Sequence, residues 1–123
     1  MTQAIILFAH SARDPLWSRP FEAVASRVQA LRPQVQVCLA YLEFMSPTLT
    51  EVGERLALQG TREVTVVPMF LGAGGHVRRD LPALLESLRE RHPHTRWTLR
   101  PAIGEAESVV EAMAREAAAA ETS

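Results

Sequence analysis

Val64-Thr65-Val66-Val67-Pro68-Met69-Phe70-Leu71-Gly72-Ala73-Gly74-Gly75-His76-Val77-Arg78-Arg79-Asp80 is the stretch on which the reading of this chain turns. Its first eight residues are almost continuously apolar. Such a run reads as a strand buried on both faces, the kind found in parallel sheets. It gives way to Gly72-Ala73-Gly74-Gly75, where backbone freedom is greatest. His76 follows at once, a metal ligand or a base by its chemistry. A stiff strand delivering a polar group into a glycine-rich loop is how open α/β sheets build their sites.

The same grammar recurs on both sides of this stretch. Upstream, Ala4 to Ala9 is a short apolar strand, and His10-Ser11-Ala12-Arg13 is the loop after it. Asp14-Pro15 signals a helix start, with Asp capping free N–H groups and Pro suiting the first helical position. Phe21, Val24, Ala25, Val28 and Leu31 then recur at helical spacing as one buried face, and Pro33 stops the helix. Val35 to Leu42 is a second strand, with Glu43 at its end. Ser46-Pro47 repeats the cap-and-proline start, Leu49, Val52 and Leu56 form the next stripe, and Gly60 is the C-terminal stop.

Downstream, Asp80 is expected to cap a helix whose inner face is Leu81, Leu84, Leu85 and Leu88, ended by His92-Pro93. Arg96 to Arg100 reads as an edge strand. Val109, Val110, Met113, Ala114 and Ala117 mark a last helix. Strict alternation of strands and helices predicts one α/β domain over residues 1–123, with a four-stranded parallel sheet, right-handed crossovers and helices on both faces. The expected strand order is 2-1-3-4, which puts the switch point between strands one and three. His10, His76 and Glu43 are then expected along one rim.

Composition narrows the field. A length of 123 residues is that of a single domain, and 47% hydrophobic content is enough for a real core. A formal net charge of −1 argues against bulk nucleic-acid binding. No apolar run has the length of a membrane span, and the first residues lack the basic region and cleavage site of a signal peptide. Cys38 is the single cysteine, so no internal disulfide forms, which suits a cytoplasmic protein.

Two histidines and a carboxylate can hold a first-row metal ion with open positions, and the same set can do acid–base work near neutral pH. Gly74 and Gly75 let a flat ligand approach the backbone. Arg13, Arg78 and Arg79 bring fork-shaped donors suited to carboxylates or phosphates. Adjacent helical residues diverge, so one of Arg78 and Arg79 is expected to face away from any site. His92 and His94 read as a helix end and a solvated turn rather than a metal pair.

These blocks carry a resemblance. Phe8-Ala9-His10-Ser11-Ala12-Arg13-Asp14-Pro15, then Ala40-Tyr41-Leu42-Glu43 with Pro47-Thr48-Leu49, then Gly60, Val66 to Leu71 and Gly74-Gly75-His76-Val77 with Asp80 and Pro82, occur in order at the right spacings. The chain resembles the small single-domain sirohydrochlorin cobaltochelatases of the class II tetrapyrrole chelatases, from about Ile5 to Val110. It departs from their pattern after the first histidine, where Ser11-Ala12 stands for the usual Gly-Ser.

The resemblance implies insertion of Co(II), or of Ni(II) or Fe(II), into sirohydrochlorin without a nucleotide. It implies His10 and His76 as metal ligands, with Glu43 as third ligand or proton acceptor. Arg13, Arg78 and Arg79, with Ser11, Gly74 and Gly75, would contact the carboxylate-rich tetrapyrrole. A homodimer would complete a cleft of which one chain supplies one lobe. Phe44, Met45, Met69, Phe70 and Leu71 are expected at its interface or beneath the macrocycle. A non-catalytic tetrapyrrole- or metal-binding module of the same fold is the alternative. A hydrolase or phosphotransferase built on His10 is a further one, for which no nucleophile-elbow motif is present.

Overall fold

Four parallel strands pair in the expected order. In this computed structural model, which describes residues 2–9, 15–42, 46–72 and 74–120, β1 (Gln3–Ala9) lies between β2 (Gln36–Tyr41) and β3 (Glu63–Pro68). β4 (Arg96–Leu99) pairs with β3 at the edge. The ladders run Ala4 to Ala9 against Gln36 to Tyr41, and Gln3 to Phe8 against Glu63 to Pro68.

Side chains of a strand alternate between faces, so two distinct surfaces follow. The front face carries Ala4, Ile6, Phe8, Cys38, Ala40, Val64, Val66 and Trp97, all in the core. It is covered by α2 (Leu49–Leu58) through Leu49, Val52 and Leu56, and by α3 (Gly75–Arg91) through Leu81, Leu85 and Leu88. The back face is covered by α1 (Arg19–Leu31) over β1 and β2. A short 3-10 turn, Pro15–Ser18, leads into α1, and a second, Ile103–Glu105, leads into α4 (Glu107–Ala118).

Several expectations are corrected in detail. β3 is not buried equally on both faces: Val64, Val66 and Pro68 are buried while Thr65 and Val67 are half-buried, because α1 packs on β1 and β2. The strand also ends at Pro68 rather than Leu71, and Phe70 reaches the core from the connection, edge-on to Phe8 with ring centroids 5.7 Å apart. Leu31 is 79% exposed, so the α1 stripe stops at Val28. The cap of α2 is Thr48 rather than Ser46: the Glu51 N–H donates to Thr48 Oγ1 at 3.2 Å, and the Thr48 hydroxyl donates to Glu51 Oε1 at 3.2 Å. Pro47 is instead used by the sheet, its carbonyl accepting from the Tyr41 N–H at 2.9 Å.

α3 starts five residues before Asp80, with Gly74 in the cap position and the Arg78 N–H bonded to the Gly74 carbonyl at 3.0 Å. Asp80-Leu81-Pro82 imitates a cap followed by an early proline. Pro82 instead lies inside the helix at an exposed position, where water can replace the missing donor. Among the described residues no helix is long and apolar enough to cross a membrane.

α2 ends as expected at Gly60, which has φ +85°. The Gly60 N–H bonds to the Ala57 carbonyl and the Thr61 N–H to the Leu56 carbonyl, at 3.0 and 3.1 Å, the paired bonds of a Schellman motif. A Cβ at Gly60 would meet open space, so replacement acts through the backbone angle alone. Gly60→Ala is expected to cost about 1–2 kcal/mol of unfolding free energy, read by urea denaturation. An unchanged midpoint would refute this account of the helix stop.

Candidate active site

The carboxyl edge of the sheet is built by the ends of β1, β2 and β3. Ala9, the last described residue before His10, pairs with Tyr41, and its carbonyl accepts from the Leu42 N–H at 3.0 Å. On the other side, the Phe8 carbonyl accepts from the Met69 N–H at 2.7 Å. The chain thus leaves β1, β2 and β3 at adjacent points of one rim. His10, Ser11, Arg13 and Glu43 lie outside the described residues, as do Phe44 and Met45. His76 is the second residue of α3, and its side chain lies outside them too.

Of the residues expected to bind substrate, the structure describes Gly74, Gly75, Arg78 and Arg79. Gly75 is the first residue of α3. Gly74 is exposed, with φ −69° and ψ 163°, a conformation open to any residue, and a Cβ there would meet nothing within 4 Å. The fold itself therefore does not require a glycine at position 74. Arg78 and Arg79 are exposed on the first turns of α3. Arg78 borders a hollow of about 220 Å³ with Leu99, Arg100, Pro101 and Glu105, on the β4 side of the rim.

A larger cleft, about 550 Å³, opens on the β2 side. Phe8, Leu42, Leu49 and Leu84 give it apolar walls, and Tyr41, Thr48, Thr50 and Asp80 add polar groups. Asp80 thus borders the cleft instead of capping a helix, a role its sequence neighbours concealed. Leu16, in the turn that leads into α1, and Leu71, three residues past β3, are 56% and 73% exposed, whereas Phe70 is buried and belongs to the core. Among the described residues no group of three or more His, Cys, Asp or Glu is placed to hold a metal ion.

Two supports beneath the rim escaped the sequence reading. The Gly104 N–H donates to the Phe70 carbonyl at 2.9 Å, and a Cβ on Gly104 would overlap the backbone of Leu71. Gly104 therefore sets the height of the connection that leads into α3. Tyr41, 6% exposed, shares a hydrogen bond with Ser18, whose hydroxyl donates to Glu22 at 3.0 Å. Burial and the Glu22 charge raise the phenol above its ordinary value, and the Ser18 bond opposes them.

The family model described as CbiX matches residues 4–120. The chain belongs to the CbiX family. Among curated CbiX-like relatives, the sirohydrochlorin cobaltochelatase of Sulfurisphaera tokodaii is 39% identical over 69% of this chain and 69% of its own length. Those of Methanopyrus kandleri and Methanocaldococcus jannaschii are 32% and 33% identical over 67% and 73% of this chain, and over 57% and 63% of their lengths. The chain thus spans about three fifths of the length of these two.

Solved structures agree. A CbiX protein from Marinobacter aquaeolei VT8 superposes with a TM-score of 0.80 at 32% identity, covering 94% of both chains. The sirohydrochlorin chelatase SirB of Bacillus subtilis subspecies spizizenii, solved in complex with cobalt, has a TM-score of 0.80 at 26% identity, covering 96% of this chain and 50% of that one. The CbiX fold here is thus one half of the length of SirB.

Two outcomes follow for this CbiX-family site. Gly74→Ala is expected to leave the urea midpoint unchanged, while Gly104→Ala loses about 1–3 kcal/mol through overpacking. Equal losses would contradict the geometry. Tyr41 is expected to make the fold alkali-sensitive. Its folded pKa is raised, so its contribution is fully present below the unfolded value near 10 and is lost as pH rises above it. Denaturation at pH 8 to 11 should show a shallower alkaline fall for Tyr41→Phe than for the natural chain.

Proposed function

We propose that the protein inserts a divalent metal ion, Co(II) first, into sirohydrochlorin, and that it works as a homodimer in the cytoplasm. The observation that carries this reading is the meeting of β1, β2 and the start of α3 at one sheet edge in a CbiX-family chain. The names of the curated relatives support the substrate, and the cobalt complex of SirB supports the metal. SirB of Bacillus subtilis has also been solved with Fe3+. Imidazole and carboxylate donors accept Ni(II) and Fe(II) as well, so availability contributes to the choice of ion.

His10 and His76 would present neutral nitrogens to the ion, with Glu43 as third ligand or as acceptor of a pyrrole proton. Insertion forms bonds from the metal to the macrocycle nitrogens and releases two pyrrole protons, so a base near the ion is part of the chemistry. Arg13, Arg78 and Arg79 would pair with the substrate's carboxylates. Gly74 and Gly75 would let the macrocycle approach the backbone at the start of α3, where N–H groups favour negative charge, and Ser11, in the segment after β1, would contact the substrate. No nucleotide is required.

Size supports the homodimer. One chain matches half of the SirB length, so two copies supply what SirB holds in one polypeptide. Leu71, exposed just past the end of β3, is suited to that contact or to the macrocycle. Sirohydrochlorin and Co(II) mixed anaerobically with the protein should convert faster than without it, as read by absorbance. His76→Ala should abolish the acceleration, and Glu43→Gln should reduce it about a hundredfold. No acceleration by folded protein would sink the chelatase reading. Tight metal or tetrapyrrole binding without turnover would identify a binding module instead.

A further inference from the structure

Ser18 occupies the N-cap of α1 but does not cap it. A serine there ordinarily accepts from a backbone N–H of the first turn, and this one makes no such bond. It is also almost fully buried, 7% exposed, beside Tyr41 at 6%. Its hydroxyl is used elsewhere. The single hydroxyl hydrogen goes to the Glu22 carboxylate at 3.0 Å. The serine oxygen can still accept, so the bond with Tyr41 runs from the phenol O–H to Ser18 Oγ. Tyr41, Ser18 and Glu22 are therefore one directed chain, buried at its start and ending on an exposed residue. A charged acceptor strengthens the bond it receives and polarises the one before it.

The backbone of Tyr41 is engaged on both sides as well. It faces Ala9 across the β1 ladder, and the Leu42 N–H donates to the Ala9 carbonyl at 3.0 Å. Its own N–H donates to the Pro47 carbonyl at 2.9 Å, and a parallel bridge joins it to Thr48, the cap of α2. Four stretches thus meet at one residue: the end of β1, the end of β2, the entry of α2 and, through Ser18, the entry of α1. Residues 10–14 run from the first toward the last, and residues 43–45 run from the second to the third. His10 belongs to one of these segments and Glu43 to the other.

We propose that the Tyr41–Ser18–Glu22 chain is a positioning device for the metal donors, setting the separation between the segment that carries His10 and the segment that carries Glu43. This rests on the metal-insertion reading above and adds to it residues that do not touch the ion. Holding both ends of a short segment removes most of its conformations. Partners that orient metal ligands contribute about 10–100-fold in affinity or activity. The far end of α1 is fastened to β2 independently, by Gln29 to Val35 and Val37. Loss of the hydroxyl chain therefore leaves the helix docked and loosens only its rim end.

Co(II) titration and anaerobic insertion assays on the full chain test this, with urea denaturation confirming that each variant is folded. Tyr41→Phe and Ser18→Ala should each raise the Co(II) dissociation constant and lower the insertion rate about tenfold. Both should alter the visible absorption bands of bound Co(II), which report its coordination geometry. Because the two residues act as one chain, the double variant should lose no more than the worse single. Glu22→Gln, which keeps an acceptor, should retain most of the affinity that Glu22→Ala loses. Gly60→Ala, expected to lose stability at the opposite end of the sheet, should retain the natural affinity and rate. Natural affinity and rate in folded Tyr41→Phe and Ser18→Ala would overturn the positioning chain and leave the chelatase standing, as would a loss that Gly60→Ala shares. A natural chain that binds Co(II) without inserting it, with weaker binding in the variants, would remove the chelatase and keep the positioning chain. A natural chain that neither binds Co(II) nor inserts it would overturn both.

Discussion

β1 is held on both sides by parallel ladders, and its register decides where every connection at the carboxyl edge begins. Ala9 faces Tyr41 across one ladder, and Phe8 faces Pro68 across the other. A slip of one residue would turn Ile6 and Phe8 out of the front core. That core, with Phe8 edge-on to Phe70 and the leucines of α2 and α3 above it, resists any such slip. The position of the rim is therefore a property of the hydrophobic core rather than of the loops that decorate it.

The front and back of the sheet differ in how completely they are finished. In front, α2 and α3 close over all four strands, and the two helices are joined at the surface by the Arg91–Glu54 ion pair. Arg89 ties α3 to β4 through the Trp97 carbonyl at 3.0 Å. Behind, α1 is anchored to β2 by Gln29, which donates to the Val35 carbonyl and accepts from the Val37 N–H. Nothing comparable among the described residues fastens α4 to β3 or β4. One side of the molecule is a complete two-layer core, and the other is a surface with half its cover in place.

Much of this was legible in the sequence. The alternation of apolar strands with helical stripes carried the strand number, the order and the parallel pairing, because each follows from periodicity and short right-handed connections. Gly60 was legible because a glycine after an apolar stripe has one common physical use. The start of α3 was not. Gly75 to Arg79 has no apolar period, and Asp80-Leu81-Pro82 offers a false cap. Thr48 was masked as the α2 cap by the more conspicuous Ser46-Pro47. At the rim, Asp80 and Tyr41 carry no local signal, since their roles depend on partners distant in sequence. Gly104 is similar: its meaning comes from Phe70 and Leu71, more than thirty positions away.

That close approach has a consequence for how the chain can change. The backbone at Gly104 and the backbone at Leu71 share one van der Waals surface, with a hydrogen bond to Phe70 beside it. The connection after β3 and the connection after β4 are therefore not independent parts. An added residue in either would force the other to yield, so insertions and deletions among relatives should be tolerated in the two together or in neither. The two connections behave as one interlocked corner, and the architecture that begins α3 is inherited jointly with the architecture that begins α4.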